Sequence, residues 1–380
     1  MKPTTNYISS LTPLRGIAAL LVVLFHYQAF SVFHGFPGLL DQLNSQFITK
    51  GYLWVDFFFI LSGFVISHVY GEKLKARSKG LIKNYLWARF SRLYPLHIFV
   101  MLLLAIQMIG LNLLNPVYAS VNWNADNTIS AFFIQLFFLQ TSGLIDTFSW
   151  NVASWSVAAE WWTYIVAIGL IPLLNKGFTR YTILAFILAL SGMVFITFQT
   201  PDNSINAIFA LGTVRCIFEF TIGIGVYQAY KSLLNKKSFW SKDWFLYVIL
   251  LCLIATLNFG IYDVVVIPFF GAFILCASLN TGRPYKLLNT KPLVFLGDIS
   301  YSIYLIHLFW LFFYWIWLDL YFVPAYPGVM PTFWDNLLWI TILMALIISS
   351  SAFTYKFVEL RMQNKLRQWI QTKPKQVILD

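Results

Sequence analysis

The sequence predicts an all-α protein that crosses a membrane many times, and two observations support this. Hydrophobic residues make up 59% of the 380 residues and charged residues only 11%, with a mean hydropathy of +0.70. A soluble protein would have about a quarter of its residues charged. Apolar runs of roughly 17 to 25 residues, the length that a helix needs to cross a hydrocarbon core, recur along the whole chain.

Ten such runs are predicted spans, and together they form a single transmembrane domain over residues 1–380. We expect the first run to be a retained signal anchor, because it is too long for a cleaved signal peptide and lacks small residues at its end. No linker, internal repeat or low-complexity tract indicates a second domain. The predicted spans are residues 11–33, 52–70, 89–113, 153–174, 180–198, 206–230, 243–259, 262–280, 296–320 and 334–356.

The net charge of +11 is explained by topology rather than by a nucleic-acid partner. With the N-terminus in the cytoplasm, the outward loops hold one lysine, Lys50, and most of the aspartates. This asymmetry follows the positive-inside rule and places both termini, with the basic tail 359–380, in the cytoplasm. The basic residues of the inward loops are Lys73, Lys75, Arg77, Lys79, Lys83, Lys176, Arg180, Lys231, Lys236, Lys237, Lys242, Arg283, Lys286 and Lys291.

One apolar stretch, residues 129–141, does not fit the pattern of spans. If it crossed the membrane, every later basic loop would face outward, and the stretch is also too short to cross. We expect a re-entrant or interfacial helix on the outer side, buried against protein.

The cysteines give no sign of a metal site. All three lie within predicted spans and lack the spacing of metal ligands. We therefore expect small buried apolar residues and no bound metal. They are Cys216, Cys252 and Cys276.

Two ionisable residues share one face of the first span. Arg15 and His26 are eleven residues apart, which is three helical turns plus about 20° and about 16 Å along the axis. Ionisable groups within lipid are unfavourable and usually serve a pathway, a partner or chemistry. Glu160 of the fourth span lies at a depth similar to that of His26. A histidine and a carboxylate at one level predict a general base with its orienting partner; the alternative for His26 is a hydrogen bond between helices.

Other spans also carry polar residues. Arg215 and Glu219 have the i,i+4 spacing of an ion pair, which is either structural or leaves Arg215 to line a tunnel and meet an anionic or carbonyl group. Ser300, Tyr304 and His307 share one face of the ninth span and predict a hydrated stripe.

Two further segments interrupt the apolar pattern. In the second span, Asp56 is expected near the outer face, and Gly63, beside Ser62, predicts close packing of helices. At the start of the third span, Arg89 and Arg92 lie one turn apart. They are either membrane anchors or a phosphate clamp, since paired guanidinium groups match phosphate geometry.

Taken together, six segments resemble the acyltransferase-3 family of integral membrane acyltransferases, in the family's order and over nearly the whole chain. The resemblance implies about ten transmembrane helices and transfer of an acyl group, usually acetyl, from cytoplasmic acetyl-CoA. The acceptor it implies is a hydroxyl of an extracytoplasmic carbohydrate, such as lipopolysaccharide O-antigen or exopolysaccharide, at the bacterial cytoplasmic membrane. The segments are LRGIAALLVVLFH, DFFFILSGFVI, RFSRLYP, SWSVAAEWW, RCIFEFTIGIGVY and LGDISYSIYLIH.

The resemblance makes His26 the catalytic residue and the Arg89–Arg92 pair the clamp for CoA phosphates. We predict that His26 removes the acceptor's proton, with Glu160 orienting it or stabilising its cation, and with Arg15, Tyr301 or Ser156 stabilising the oxyanion. An acyl-imidazole intermediate is the alternative course. The predicted catalytic residues are His26, Glu160 and Arg15. The predicted donor-binding residues are Arg89, Arg92, Arg215, Ser300, Tyr301, Tyr304 and His307. The predicted acceptor-binding residues are Asp56, Ser62, Trp155 and Ser156.

The chain departs from the family pattern in two ways. The family commonly has Glu-x-Pro after the last span, where this chain has Glu359-Leu360-Arg361. Some members also carry a fused extracytoplasmic hydrolase-like domain, and none is recognised here. The competing interpretations are a transporter of anions or surface-polymer intermediates, which would use the same charges as a permeation path, and an acyltransferase with a lipid acceptor.

Overall fold

The structure is a computed structural model that describes residues 7–33, 35–36, 45–76, 78–177, 179–200, 202–236 and 239–371. Within these ranges the chain forms α-helices joined by short 3₁₀ and π segments, with no β-strand. Arg77, Lys237 and residues 372–380 of the predicted tail lie outside the described residues. The helices of the described part are α1 (Leu11–Phe33), α2 (Trp54–Lys75), α3 (Lys79–Leu114), α4 (Pro116–Asn122), α5 (Ile129–Leu136), α6 (Trp155–Leu174), α7 (Arg180–Gln199), α8 (Gly212–Leu233), α9 (Asp243–Asn258), α10 (Asp263–Leu279), α11 (Arg283–Leu288), α12 (Lys291–Asp298), α13 (Ser300–Trp317), α14 (Val323–Ala325), α15 (Phe333–Thr354) and α16 (Arg361–Gln371).

Each of the ten predicted spans is helical, and the all-α polytopic class is confirmed. Two of the ten, α9 and α10, are apolar but have only 16 and 17 residues. A third, α8, has 22 residues and carries Arg215 and Glu219 within it. In the described part of the chain, seven stretches are long and apolar enough to cross a membrane: Leu11–Phe33, Thr49–Lys75, Lys79–Leu114, Val152–Leu174, Arg180–Gln199, Ser300–Ala325 and Phe333–Gln368.

The outer surface of the bundle is apolar. On α3, Leu102, Ile106, Ile109 and Leu113 recur every three or four residues and are between 51% and 79% exposed. Apolar rows of this length would be a liability in water. Against lipid tails these apolar side chains are in an apolar medium. The polar side chains of the spans face the protein interior instead.

Two glycines bring α2 and α8 into backbone contact. A Cβ added at Gly63 would overlap the carbonyl oxygen of Phe220, and one added at Gly223 would overlap the backbone of α2. The prediction that Gly63 permits close packing is confirmed. The same contact places Asp56 of α2 beside Arg215 of α8.

The direction of these two helices shows that α5 does not cross. Asp56 faces Arg215, and seven residues later Gly63 faces Phe220, so α2 and α8 run in parallel. An odd number of crossings must separate two parallel spans, and α3, α6 and α7 supply three. The eight residues of α5 measure only about 12 Å, too short for a span. The predicted short helix is therefore present, although it ends at Leu136 rather than near residue 141.

A second glycine contact joins α1 to the segment before α13. A Cβ added at Gly16 would lie 2.6 Å from the backbone nitrogen of Gly297, and one added at Gly297 would overlap the backbone at Thr12. Side chains on this face of α1 therefore meet α13 at close range. The two ends of that face carry Arg15 and His26.

Candidate functional site

A cavity of about 150 Å³ lies among α1, α2, α3, α6 and α13. Most of the predicted site residues line it, whereas His26, His307, Arg215, Asp56 and Trp155 do not. Tyr164 also lines the cavity, although it was not among the predicted site residues. The polar residues that line the cavity are Arg15, Ser62, Arg89, Arg92, Ser156, Glu160, Tyr164, Ser300, Tyr301 and Tyr304.

Three arginines place positive charge at the end of the cavity where α1 and α13 begin. Nη1 of Arg92 lies 3.4 Å from Oε1 of Glu359. Nη2 of Arg89 donates to the Tyr70 hydroxyl at 3.2 Å, and its Nε is buried without an acceptor in the described structure. Within the described ranges, no carboxylate lies within 4.0 Å of the guanidinium of Arg15 or Arg89. Two guanidinium groups are therefore available to an anionic ligand.

Glu160 is held by two hydroxyl groups of the cavity wall. The Ser62 hydroxyl donates to its Oε1 at 2.7 Å, and the Tyr164 hydroxyl, one turn later on α6, donates to the same oxygen. The predicted contact between Glu160 and His26 is not formed. Counting residues along two spans gives their depth, but it does not give the direction in which each side chain points around the bundle. Glu160 points toward α2.

His26 contacts His307 of α13 instead. Nδ1 of His26 lies 3.2 Å from Nε2 of His307 and 3.0 Å from the carbonyl oxygen of Val22. The two imidazole centroids are 4.8 Å apart. His307, predicted to contact the acyl donor, is completely buried beside the predicted base, whereas His26 is partly exposed. The ring of Tyr304 lies 6.0 Å from that of His307, so one aromatic ring separates the cavity wall from the histidine pair.

The hydroxyl groups along α13 differ in how they are used. Tyr301 donates to a backbone carbonyl of α3 at 2.7 Å. Tyr304 donates to the carbonyl oxygen of Ala153 at 3.0 Å, and its oxygen lies 2.7 Å from Oγ of Ser156. Oγ of Ser300 is buried with no partner in the described part of the chain. Ser300 is therefore the wall hydroxyl that is free for a ligand.

Arg215 and Asp56 form a buried ion pair and do not face the cavity. Nε and Nη2 of Arg215 donate to the two oxygens of Asp56 at 2.8 and 2.6 Å, and Nε is 3.6 Å from Glu219. The indole of Trp155 covers the guanidinium at 5.3 Å. Arg215, Asp56 and Trp155, which were predicted to bind ligands, thus contact one another rather than the cavity, and Nη1 of Arg215 is buried without a partner in the described part of the chain. The alternative in which Arg215 and Glu219 form a structural ion pair agrees with this arrangement.

Glu359, whose role the sequence left open, completes the cavity wall behind Arg92. Its side chain is 1% exposed, faces Arg92, and accepts a hydrogen bond from Ser302 at 3.1 Å. A π-helical segment, Tyr355–Leu360, places it there. The signal in the sequence was an isolated carboxylate within a basic segment after the last span.

The sequence of the chain is similar to those of several known proteins. An O-acetyltransferase, OatA of Staphylococcus aureus, is 24% identical over 327 residues, which are 80% of this chain and 50% of that protein. A protein of Acidianus two-tailed virus named as a candidate acetyltransferase is 27% identical over 81% of this chain and 86% of its own length. A Rhizobium radiobacter protein named for the picA locus is 41% identical over 27% of this chain and 46% of its own length.

The chain thus spans about half of OatA and most of the viral protein. No solved structure matches the chain. The model of the acyltransferase-3 family, an acyltransferase domain, matches residues 8–356. This match covers nearly all of the helical bundle and every residue that lines the cavity, and it ends before Glu359. The chain belongs to the acyltransferase-3 family and is a membrane-spanning acyltransferase.

Proposed function

We propose that this protein transfers an acetyl group from cytoplasmic acetyl-CoA to a hydroxyl of an extracytoplasmic carbohydrate. The observation that supports this most is the cavity itself. It is positively charged at one end, and at the other end it stops one aromatic ring short of the histidine pair. A cavity of this kind suits a donor that carries several negative charges and a thioester.

In this proposal Arg15, Arg89 and Arg92 hold the phosphates of CoA. Arg89 and Arg15 have guanidinium groups without a carboxylate partner in the described ranges, and charge-assisted bonds to phosphate are strong. A volume of about 150 Å³ suits a narrow arm rather than a whole nucleotide, since pockets that enclose drug-sized ligands usually have about 300 Å³ or more. The donor supplies the acetyl thioester, and the free hydroxyl of Ser300 would orient the arm.

His26 acts as the general base in the proposed reaction. The acceptor O–H bond breaks, the proton passes to His26, and the oxygen bonds to the thioester carbonyl carbon. The carbon–sulfur bond then breaks, and the leaving thiolate recovers the proton from His26. Arg15 lies about 16 Å from His26 along α1, so it belongs to the phosphate end. Ser156, bonded to Tyr304 near the histidine pair, is the better placed of the predicted oxyanion donors.

The proposed location is a bacterial cytoplasmic membrane with both termini in the cytoplasm. The distribution of basic residues supports this orientation, and the parallel course of α2 and α8 supports an odd number of crossings between them. The carbohydrate acceptor follows from the family resemblance. The region that matches this chain is about half the length of OatA.

The decisive experiment uses the purified protein in proteoliposomes with acetyl-CoA and a candidate glycan acceptor. We expect free CoA thiol to appear only when the acceptor is present. H26A should abolish this release while acetyl-CoA still binds, because the base lies away from the arginines. Solute flux without any release of CoA thiol would favour a transporter, and release that is independent of the acceptor would show hydrolysis of the thioester; either result would contradict the proposal. Full activity of H26A would exclude His26 as the base.

A further inference from the structure

The contact between His26 and His307 restricts which ring nitrogen of His26 carries a proton. The inference drawn from this contact rests on the proposed function and goes beyond it. Two atoms lie within hydrogen-bond distance of Nδ1 of His26. They are the carbonyl oxygen of Val22 at 3.0 Å and the imidazole Nε2 of His307 at 3.2 Å. A carbonyl oxygen only accepts hydrogen bonds. Both contacts are therefore satisfied together when Nδ1 of His26 carries the proton and Nε2 of His307 is bare.

We propose that His307 is the positioning residue of the reaction, which holds the Nδ1–H form of His26 and stabilises its cation through the 3.2 Å contact. In this form Nε2 of His26 carries a lone pair and has no partner in the described part of the chain. When Nε2 takes the acceptor's proton, the Nδ1–H of the imidazolium donates to the neutral ring of His307. A hydrogen bond from an ionised donor is about twice as strong as a neutral one.

The packing around His307 holds the ring in place, and Nδ1, which carries the proton of the neutral ring when Nε2 is bare, is buried without a hydrogen-bond partner in the described part of the chain. His307 is completely buried, and the nearest aromatic ring, that of Tyr304, is itself held by Ala153 and Ser156. The backbone contact at Gly16 and Gly297 packs α1 against α12, directly before α13 begins. A carboxylate at this position would need its own cation or hydrogen-bond donors, whereas an imidazole can remain neutral. His307 thus takes the place that the sequence assigned to Glu160.

The test compares three variants in proteoliposomes. H307L removes the polar contact, and we expect the kcat for acetyl transfer to fall by about 100-fold or more, with the affinity for acetyl-CoA unchanged. H307Q puts an amide near the position of Nε2, and we expect it to retain at least a tenth of the kcat. H97Q changes another completely buried histidine, which bonds to the backbone of Gln135, and it should leave kcat within about threefold. An unchanged kcat in H307L, or equal losses in H307L and H97Q, would overturn the proposal.

A second measurement does not depend on the reaction. Nitrogen-15 NMR of histidine-labelled protein reports which ring nitrogen of His26 carries the proton, with H26A used for assignment. We expect the Nδ1–H form in the unmodified protein and in H307Q, and a mixture of both forms in H307L. If the unmodified protein shows the Nε2–H form, the positioning role is excluded. If it shows the Nδ1–H form but transfers no acetyl group, the proposed function fails while the role of the contact stands.

Discussion

Arg89 and Arg92 are identical side chains one turn apart, yet their partners differ. Arg89 donates to the Tyr70 hydroxyl and lies over the rings of Tyr70 and Tyr164, whereas Arg92 faces the buried carboxylate of Glu359. The first is available to a ligand, and the second is partly committed to the protein. The two arginines should therefore respond differently to removal, although the sequence alone treats them as one pair.

R89A should weaken the binding of acetyl-CoA by about 10- to 100-fold, because a hydrogen bond to a charged group contributes about 1.5–3 kcal/mol. Its melting temperature should remain close to that of the unmodified protein, since no buried carboxylate loses a cation. Titration calorimetry in detergent measures the affinity. K176A, which changes an exposed lysine at the end of α6, is the control and should bind normally. An unchanged affinity in R89A would refute the clamp.

R92A should instead lower stability, by about 2 kcal/mol, because it leaves the buried carboxylate of Glu359 without its cation. The carboxamide of E359Q needs no cation, so the double variant R92A/E359Q should recover most of the loss. Thermal unfolding of the four proteins forms a double-mutant cycle. Additive effects in that cycle would show that the 3.4 Å contact contributes nothing.

At the residue scale, the sequence predicts which side chains are unusual better than it predicts their partners. Of the predicted stripe, Ser300 and Tyr304 line the cavity, whereas His307 does not. The partner of His26 was predicted incorrectly because residue counting fixes height along a span but not direction. Arg215 lies 3.6 Å from Glu219, as the i,i+4 spacing allows, but its shortest contacts are to Asp56, 159 positions earlier in the chain.

At the scale of helices, small residues position the site more than polar ones do. The α2–α8 contact at Gly63 and Gly223 holds the ion pair of Asp56 and Arg215, and the α1–α13 contact holds the histidine pair. Gly63 was predictable because a glycine within an apolar span usually serves close packing. Its partner helix was not predictable, since the sequence does not state which spans are neighbours.

The variant G63A tests whether the glycine contact between α2 and α8 positions the site. The added Cβ would overlap the carbonyl oxygen of Phe220, which is backbone and cannot move aside alone. We expect a loss of about 1–3 kcal/mol, the usual effect of overpacking, together with reduced acetyl transfer. The matched control is G110A on α3, where a Cβ would meet nothing within 4 Å. That variant should be neutral or stabilised by up to about 1 kcal/mol. Equal melting temperatures for the two variants would contradict the role of the glycine contact.

At the scale of the whole molecule, composition and charge determine the fold class, and helix directions then test the topology. Ten spans and their order could be read from apolar runs, because lipid forces each crossing to be a long apolar helix. The cavity could not, since it depends on which faces of five helices converge. The parallel course of α2 and α8 supports an odd number of crossings between them, and it does not depend on which face is cytoplasmic.

The topology predicts that both ends of α5 lie on one side of the membrane. Single cysteines at the exposed positions 126 and 146, introduced as D126C and D146C into a background without Cys216, Cys252 and Cys276, flank this helix. Both should react with a membrane-impermeant maleimide in intact cells, because eight residues span only about 12 Å.

K236C, at an exposed position after α8, is the control for the opposite face and should react only after the cells are permeabilised. If residues 126 and 146 were labelled from opposite sides, α5 would be a crossing helix. Every later loop would then be inverted, and the arginine end of the cavity could no longer be assigned a side on the basis of the loop charges. The labelling pattern thus decides whether the cations of the cavity face the compartment that contains acetyl-CoA, which the whole proposal requires.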